Sequence, residues 1–188
     1  VARLFVAVWP PAPLIEELRQ LDRIVRPGLR WTTEDQWHVT MRFLGEISAT
    51  EQETAGAALN AVAAASGPVA ATAGPTPRRL GSGVWALPVD GLDGLAGRVE
   101  AATGGIGRSP RGRRPFHGHL TLARGRAPAA LAGLAQPRVA ARWAVEELTL
   151  VRSELHPAGA RYQVMGRWAL GPPAAGDAAG PAPTRCPS

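Results

Sequence analysis

A mixed helix-and-strand domain built as two similar lobes is the architecture the sequence predicts, and three observations predict it. Strand-like and helix-like periodicities follow one another as strand, helix, strand, strand, helix, and the same alternation then resumes. Two strand-like blocks of matching chemical content, Trp37-His38-Val39-Thr40-Met41-Arg42-Phe43-Leu44-Gly45 and Gly118-His119-Leu120-Thr121-Leu122-Ala123-Arg124, lie nearly half a chain apart. A length of 188 residues, 45% of them hydrophobic and 19% charged, suits one domain or two small lobes sharing a core. Outside the two blocks the halves align poorly.

Taken in order, Arg3 to Trp9 reads as a buried strand, and Pro10, Pro11 and Pro13 place a turn and a helix start. Leu14, Ile15, Leu18, Leu21, Ile24 and Val25 recur at helical spacing opposite Glu16, Glu17, Arg19, Asp22 and Arg23, so the helix is expected to run to about Pro27-Gly28. A short strand over Leu29 to Thr32 and a polar turn over Thr33 to Gln36 lead into the first block. Ser48 or Thr50 caps a helix from about Glu51 to Ala65. Val69 to Ala73 and Val84 to Val89 are strand candidates, and Leu92, Leu95, Ala96 and Val99 mark a helix stopping at Gly104-Gly105. An arginine-rich loop (Arg108, Arg111, Arg113, Arg114) delivers the chain to the second block. A short helix over Ala129 to Leu134, one long strand over Trp143 to Leu155 and a last strand over Arg161 to Leu170 complete the domain, 1–170. Residues 171–188 are nearly all Pro, Ala, Gly and small polar types, which cannot bury a core, and read as a disordered tail.

Composition excludes several chemistries. The net charge of +6 comes entirely from arginine, with no lysine in the chain, which rules out lysine-adenylate and Schiff-base intermediates and a P-loop. Arginine suits phosphate because its planar fork donates two hydrogen bonds at once. The single cysteine, Cys186, precludes an internal disulfide or a cysteine-based zinc site. The opening apolar run is too short to span a membrane and lacks a signal-peptide layout, so a cytoplasmic protein without membrane association is expected.

Strand alternation puts His38, Thr40 and Arg42 on one face of the first block and Val39, Met41 and Phe43 on the other; His119 and Thr121 separate from Leu120 and Leu122 in the same way. Two imidazoles and two hydroxyls presented together can surround a phosphodiester. One imidazole takes a proton from the attacking oxygen and the other gives one to the departing oxygen, near neutral pH and with no metal. The hydroxyls and an arginine hold the nonbridging oxygens as charge grows on phosphorus. His117, two residues before His119, falls on the same face by alternation, either as a phosphate or nucleotide contact or as a solvent-facing rim residue. The arginine loop either guides RNA phosphates or is simply solvated. Trp31 and Trp37 flank the first motif, to pack the core or to stack a base.

The paired His-x-Thr blocks, the Arg-Leu-Phe-Val-Ala-Val opening, the Pro-Phe-x-x-His-Leu-Thr-Leu-Ala-Arg block and the later Leu-x-Leu-Val-Arg-Ser-Glu-Leu run resemble the two-histidine phosphoesterases. More narrowly they are similar to the RNA 2′,3′-cyclic phosphodiesterases, historically called 2′-5′ RNA ligases, over about residues 2 to 170. The resemblance implies an α+β bilobal fold, two antiparallel sheets flanking a central cleft with helices outside. It implies hydrolysis of an RNA-terminal 2′,3′-cyclic phosphate to a 2′-phosphate without metal, cofactor or ATP, with 2′-5′ ligation as the reverse reaction. It assigns His38 as proton donor, His119 as proton acceptor, and Thr40, Thr121 and Arg124 as phosphate or nucleotide ligands; strand alternation adds Arg42 and His117 as further candidates. The expected partner is RNA or a nucleotide ending in that cyclic phosphate, with no obligate protein partner. Alternatives are a phosphodiesterase for 2′-5′ oligonucleotides or small cyclic nucleotides, and a noncatalytic RNA-binding protein. Gly118 departs from the family pattern, which usually has proline there.

Overall fold

A computed structural model describes residues 1–107, 115–156 and 159–171. The arginine loop of Arg108, Arg111, Arg113 and Arg114, and the tail from residue 172 with Cys186, lie outside the described residues. Ten strands and three α-helices are formed among the described residues: β1 (Ala2–Val8), α1 (Ala12–Arg19), β2 (Leu29–Trp31), β3 (Val39–Ile47), α2 (Ala49–Ala64), β4 (Val69–Ala73), β5 (Arg78–Leu80), β6 (Val84–Asp90), α3 (Asp93–Thr103), β7 (His119–Gly125), β8 (Ala141–Val145), β9 (Glu147–His156) and β10 (Gly159–Ala169). No helix among them is long and apolar enough to cross a membrane.

The strands pair antiparallel along one path, β10-β9-β1-β3-β7-β6-β4-β8, with β2 beside β7 and β5 beside β6. The two expected sheets are thus joined edge to edge, through a single register pair, Val39 with Leu120. Each is the residue between His and Thr of its motif. The α+β architecture expected from the sequence is therefore present, and its two halves meet where the two motifs begin.

The core lies mainly between sheet and helices. β1 sits between β3 and β9, so its whole run from Leu4 to Val8 is buried, which explains its unbroken apolar sequence. Leu4, Val6 and Val8 face the main core with Leu14 and Leu18 of α1 and Leu59 of α2, whereas Phe5 and Ala7 join Val151 in a small cluster on the opposite face. Ser48 caps α2 and exchanges bonds with Glu51 in a capping box, supplying partners for N–H groups that a helix start leaves open.

Four elements differ from the sequence reading. Helix α1 ends at Arg19, where the Gln20 N–H turns back to the Glu17 carbonyl; Leu21 and Ile24 still pack on the core from irregular chain, and Val25 is exposed. The expected helix at 129–134 is only a 3₁₀ turn, Pro128–Leu131. The long strand expected over 143–155 breaks at Glu146, because β8 pairs with β4 in one half while β9 pairs with β1 and β10 in the other. The Glu146 carbonyl accepts instead from Leu170 N–H, at 2.7 Å. Strand β5, built of Arg78, Arg79 and Leu80, had no sequence signal.

Candidate active site

Because Val39 and Leu120 are antiparallel partners, extending the register one residue each way sets His38 opposite Thr121 and Thr40 opposite His119. The histidines become diagonal neighbours, a relation that spans about 7–8 Å along such a pair. Val39 and Leu120 are fully buried on the helix side, and His38, Thr40, His119 and Thr121 all line one cleft on the other. The four side chains that the sequence singled out are therefore brought together.

Each imidazole is anchored the same way. His38 Nδ1–H donates to the Gln36 carbonyl at 2.8 Å and His119 Nδ1–H donates to the His117 carbonyl at 2.7 Å, two residues upstream in both cases. A proton held on Nδ1 leaves Nε2 of each ring as the atom that exchanges protons. Thr40 Oγ1 lies 3.1 Å from His38 Nε2. Gln36 is itself fixed, its side-chain amide donating to the Ala160 carbonyl of β10 at 2.7 Å. Thr32, missed in the sequence, ties the motifs together: Trp37 Nε1–H donates to its hydroxyl, which lies 2.7 Å from the Thr121 carbonyl and 2.8 Å from that of Leu122. Trp37 is buried and Trp31 donates to the Ile24 carbonyl, so both tryptophans serve the fold.

Beyond each threonine the strand inserts one residue. Val6 pairs with Arg42 but Ala7 with Thr40, so Met41 is extra; Trp85 pairs with Ala123 but Ala86 with Thr121, so Leu122 is extra. A bulge of this kind reverses which face the following side chains take. Arg42 therefore turns away from Thr40, contrary to its expected place on the motif face, and Phe43 lines the cleft. In the second motif the same shift buries Ala123 and turns Arg124 into the cleft, beside Thr121. Arg42 is instead buried, donating to the Thr103 carbonyl and hydroxyl at the end of α3 and pairing with Glu100 at 2.8 Å. It offsets the carbonyl end of that helix. Arg42→Met should lower stability by about 2–3 kcal/mol by leaving these groups unpaired. Denaturant titration measures this; a rise in KM at unchanged stability would instead mean a ligand-binding arginine.

His117 also departs from the alternation reading. Residues 115–118 are not strand, and its side chain is exposed, so the residue contributes its carbonyl to His119. Gly118 explains the tight approach: a Cβ there would sit 2.2 Å from the Val89 carbonyl oxygen, while Val89 N–H bonds the Gly118 carbonyl at 2.9 Å.

The two histidines differ in surroundings. His38 is packed by Phe5 (ring centroids 4.7 Å apart), Tyr162 (5.1 Å, edge-on) and Trp9 (5.8 Å). Burial among these rings pushes its pKa down to about 4, opposed by the Gln36 carbonyl, while positive charge at His119 and Arg124 adds to the lowering. Burial likewise raises the Tyr162 phenol. Among the described residues no three His, Cys, Asp or Glu side chains converge in a way that would hold a metal ion.

A family model described as LigT-like phosphoesterase matches residues 8–74. The chain is 33% identical over 185 residues to the RNA 2′,3′-cyclic phosphodiesterase of Thermus thermophilus, covering 89% of this chain and 90% of that protein. It is 34% identical over 175 residues to the protein of the same name from Escherichia coli, covering 89% and 96%. The structure of E. coli LigT complexed with 3′-AMP superposes with a TM-score of 0.74 at 29% identity, over 90% of this chain and 98% of that one. With the fold, the motif pairing and the relatives in agreement, the chain belongs to the LigT-like phosphoesterases, the two-histidine family that includes these RNA 2′,3′-cyclic phosphodiesterases.

Proposed function

We propose that this protein hydrolyses the 2′,3′-cyclic phosphate at an RNA end to a 2′-phosphate. The observation that carries the reading is the pairing of Val39 with Leu120, which gathers both His-x-Thr sets around one point. A phosphorus there is held by the Thr40 and Thr121 hydroxyls and the Arg124 guanidinium, groups suited to charge on its nonbridging oxygens. His119 Nε2 accepts a proton from water as the water oxygen attacks phosphorus. His38 Nε2–H protonates the 3′ oxygen as its bond to phosphorus breaks. The cycle ends with His119 protonated and His38 neutral, and exchange with solvent restores both. Run backwards with a 5′-hydroxyl RNA as nucleophile, the same groups would make a 2′-5′ linkage.

The low pKa of His38 comes first from the rings that bury it. An anionic phosphate beside the ring favours the imidazolium, so substrate binding loads the proton that the acid role requires.

Incubation with an oligonucleotide ending in a 2′,3′-cyclic phosphate, in EDTA, tests the reading. The expected product carries only a 2′-phosphate. A 3′-phosphate product, or loss of turnover in EDTA that added metal restores, would overturn it.

A further inference from the structure

The cleft extends well beyond the four motif side chains. Its volume of about 930 Å³ lies near the upper end of the roughly 300–1,000 Å³ common for small-ligand sites. Among the described lining residues are four arginines and three histidines, and no aspartate or glutamate. Such a surface fits a ligand with more than one phosphate.

The two ends of the cleft are unlike. One, around Gly28, Arg30, Gly125 and Arg126, offers cations without an aromatic ring. The other is the cleft face of β1, β3 and β9, where Arg3 stands two residues before Phe5, and Phe43 is the register partner of Phe5. Phe43 is 54% exposed, unusual for a large apolar side chain on a folded sheet. Phe43 is kept there by the Met41 bulge, its ring 5.8 Å from that of Phe5. Glu46, across from Arg3 in the register, is exposed and outside the cleft lining. An open ring beside an arginine, continuous with a phosphate site, is how single-stranded nucleic acid is commonly held: a base stacks on the ring and the cation meets the backbone.

We propose that the Arg3 and Phe43 part of the cleft seats the penultimate nucleotide, the one before that which carries the cyclic phosphate, so that the protein selects RNA ends over free cyclic nucleotides. This rests on the cyclic phosphodiesterase reading above. The base of that nucleotide lies on Phe43, and the phosphodiester following it meets Arg3, a diagonal neighbour of Phe43 across the β1–β3 pair.

The test compares kcat/KM for uridine 2′,3′-cyclic phosphate with that for the dinucleotide UpU ending in the same group. Wild type should prefer the dinucleotide about tenfold or more, and the preference should shrink as salt rises. Phe43→Ala and Arg3→Gln should each reduce the ratio at least threefold, while Arg79→Gln, an exposed arginine outside the cleft, should not. Equal kcat/KM for the two substrates, or a ratio unmoved in both cleft variants, overturns the proposal. If wild type hydrolyses neither substrate, the underlying activity is wrong. Titration with UpU lacking the cyclic phosphate then decides the seat by itself: weaker binding by Arg3→Gln supports it, and equal binding overturns it.

Discussion

Alanine at either His38 or His119 lowers kcat on a cyclic-phosphate substrate by about 10²–10⁴-fold, while circular dichroism and thermal melting stay close to wild type. The losses are not additive in the double variant, since the two imidazoles act in one proton-transfer event. The leaving group separates their roles. A diester with an acidic phenol as leaving group needs little help from a general acid, so it restores most of the rate to His38→Ala and little to His119→Ala. Rescue of His119→Ala alone would exchange the assigned roles.

Binding of a non-titrating anion should depend on pH through His38. In a background carrying both His119→Ala and His156→Ala, uridine 2′,3′-cyclic phosphate keeps a single negative charge from pH 5 to 8, and His38 is the imidazole left among the described cleft residues. Burial, the largest cause of its lowered pKa, persists in this variant and keeps the free His38 neutral over most of that range. If the bound anion holds a proton there, binding takes up one proton. Affinity then falls by up to about tenfold for each pH unit gained and levels off above the pKa of the complex. Calorimetry across the range measures this directly. An affinity flat from pH 5 to 8 would remove His38 as the proton donor. The rings of Phe5, Trp9 and Tyr162 are the physical source of the coupling, because they make the charged imidazole unfavourable until a counter-charge arrives.

The clustering of the two histidines and two threonines was legible in the sequence because each motif spans only three residues, over which strand alternation holds. One residue further on, that logic fails. A count of two cannot register the insertions at Met41 and Leu122, and so it placed Arg42 in the cleft and Phe43 in the core. Arg124 was expected from family likeness, and alternation alone would have pointed it away. His117 was assigned a face that exists only where the chain is strand. The break at Glu146 is marked only by a one-residue slip in the alternation, from Trp143 and Val145 to Leu148 and Leu150, where the hydrogen-bonding partner changes; reading the run as one strand passed over it. Neither could the aromatic setting of His38 be read in advance, since Phe5, Trp9 and Tyr162 come from opposite ends of the chain. The overall alternation of helix and strand survived these errors because it depends on which segments are apolar, not on the register within them.

The last two strands lie against the first, with Tyr162 and Val151 completing the surroundings of His38 and Phe5. Neither half of the molecule is thus an autonomous translation product. On the ribosome the aromatic surroundings of His38 stay unbuilt until β10 has emerged. A transcript cut short before residue 147 would yield a polypeptide with both signature tripeptides and no working enzyme.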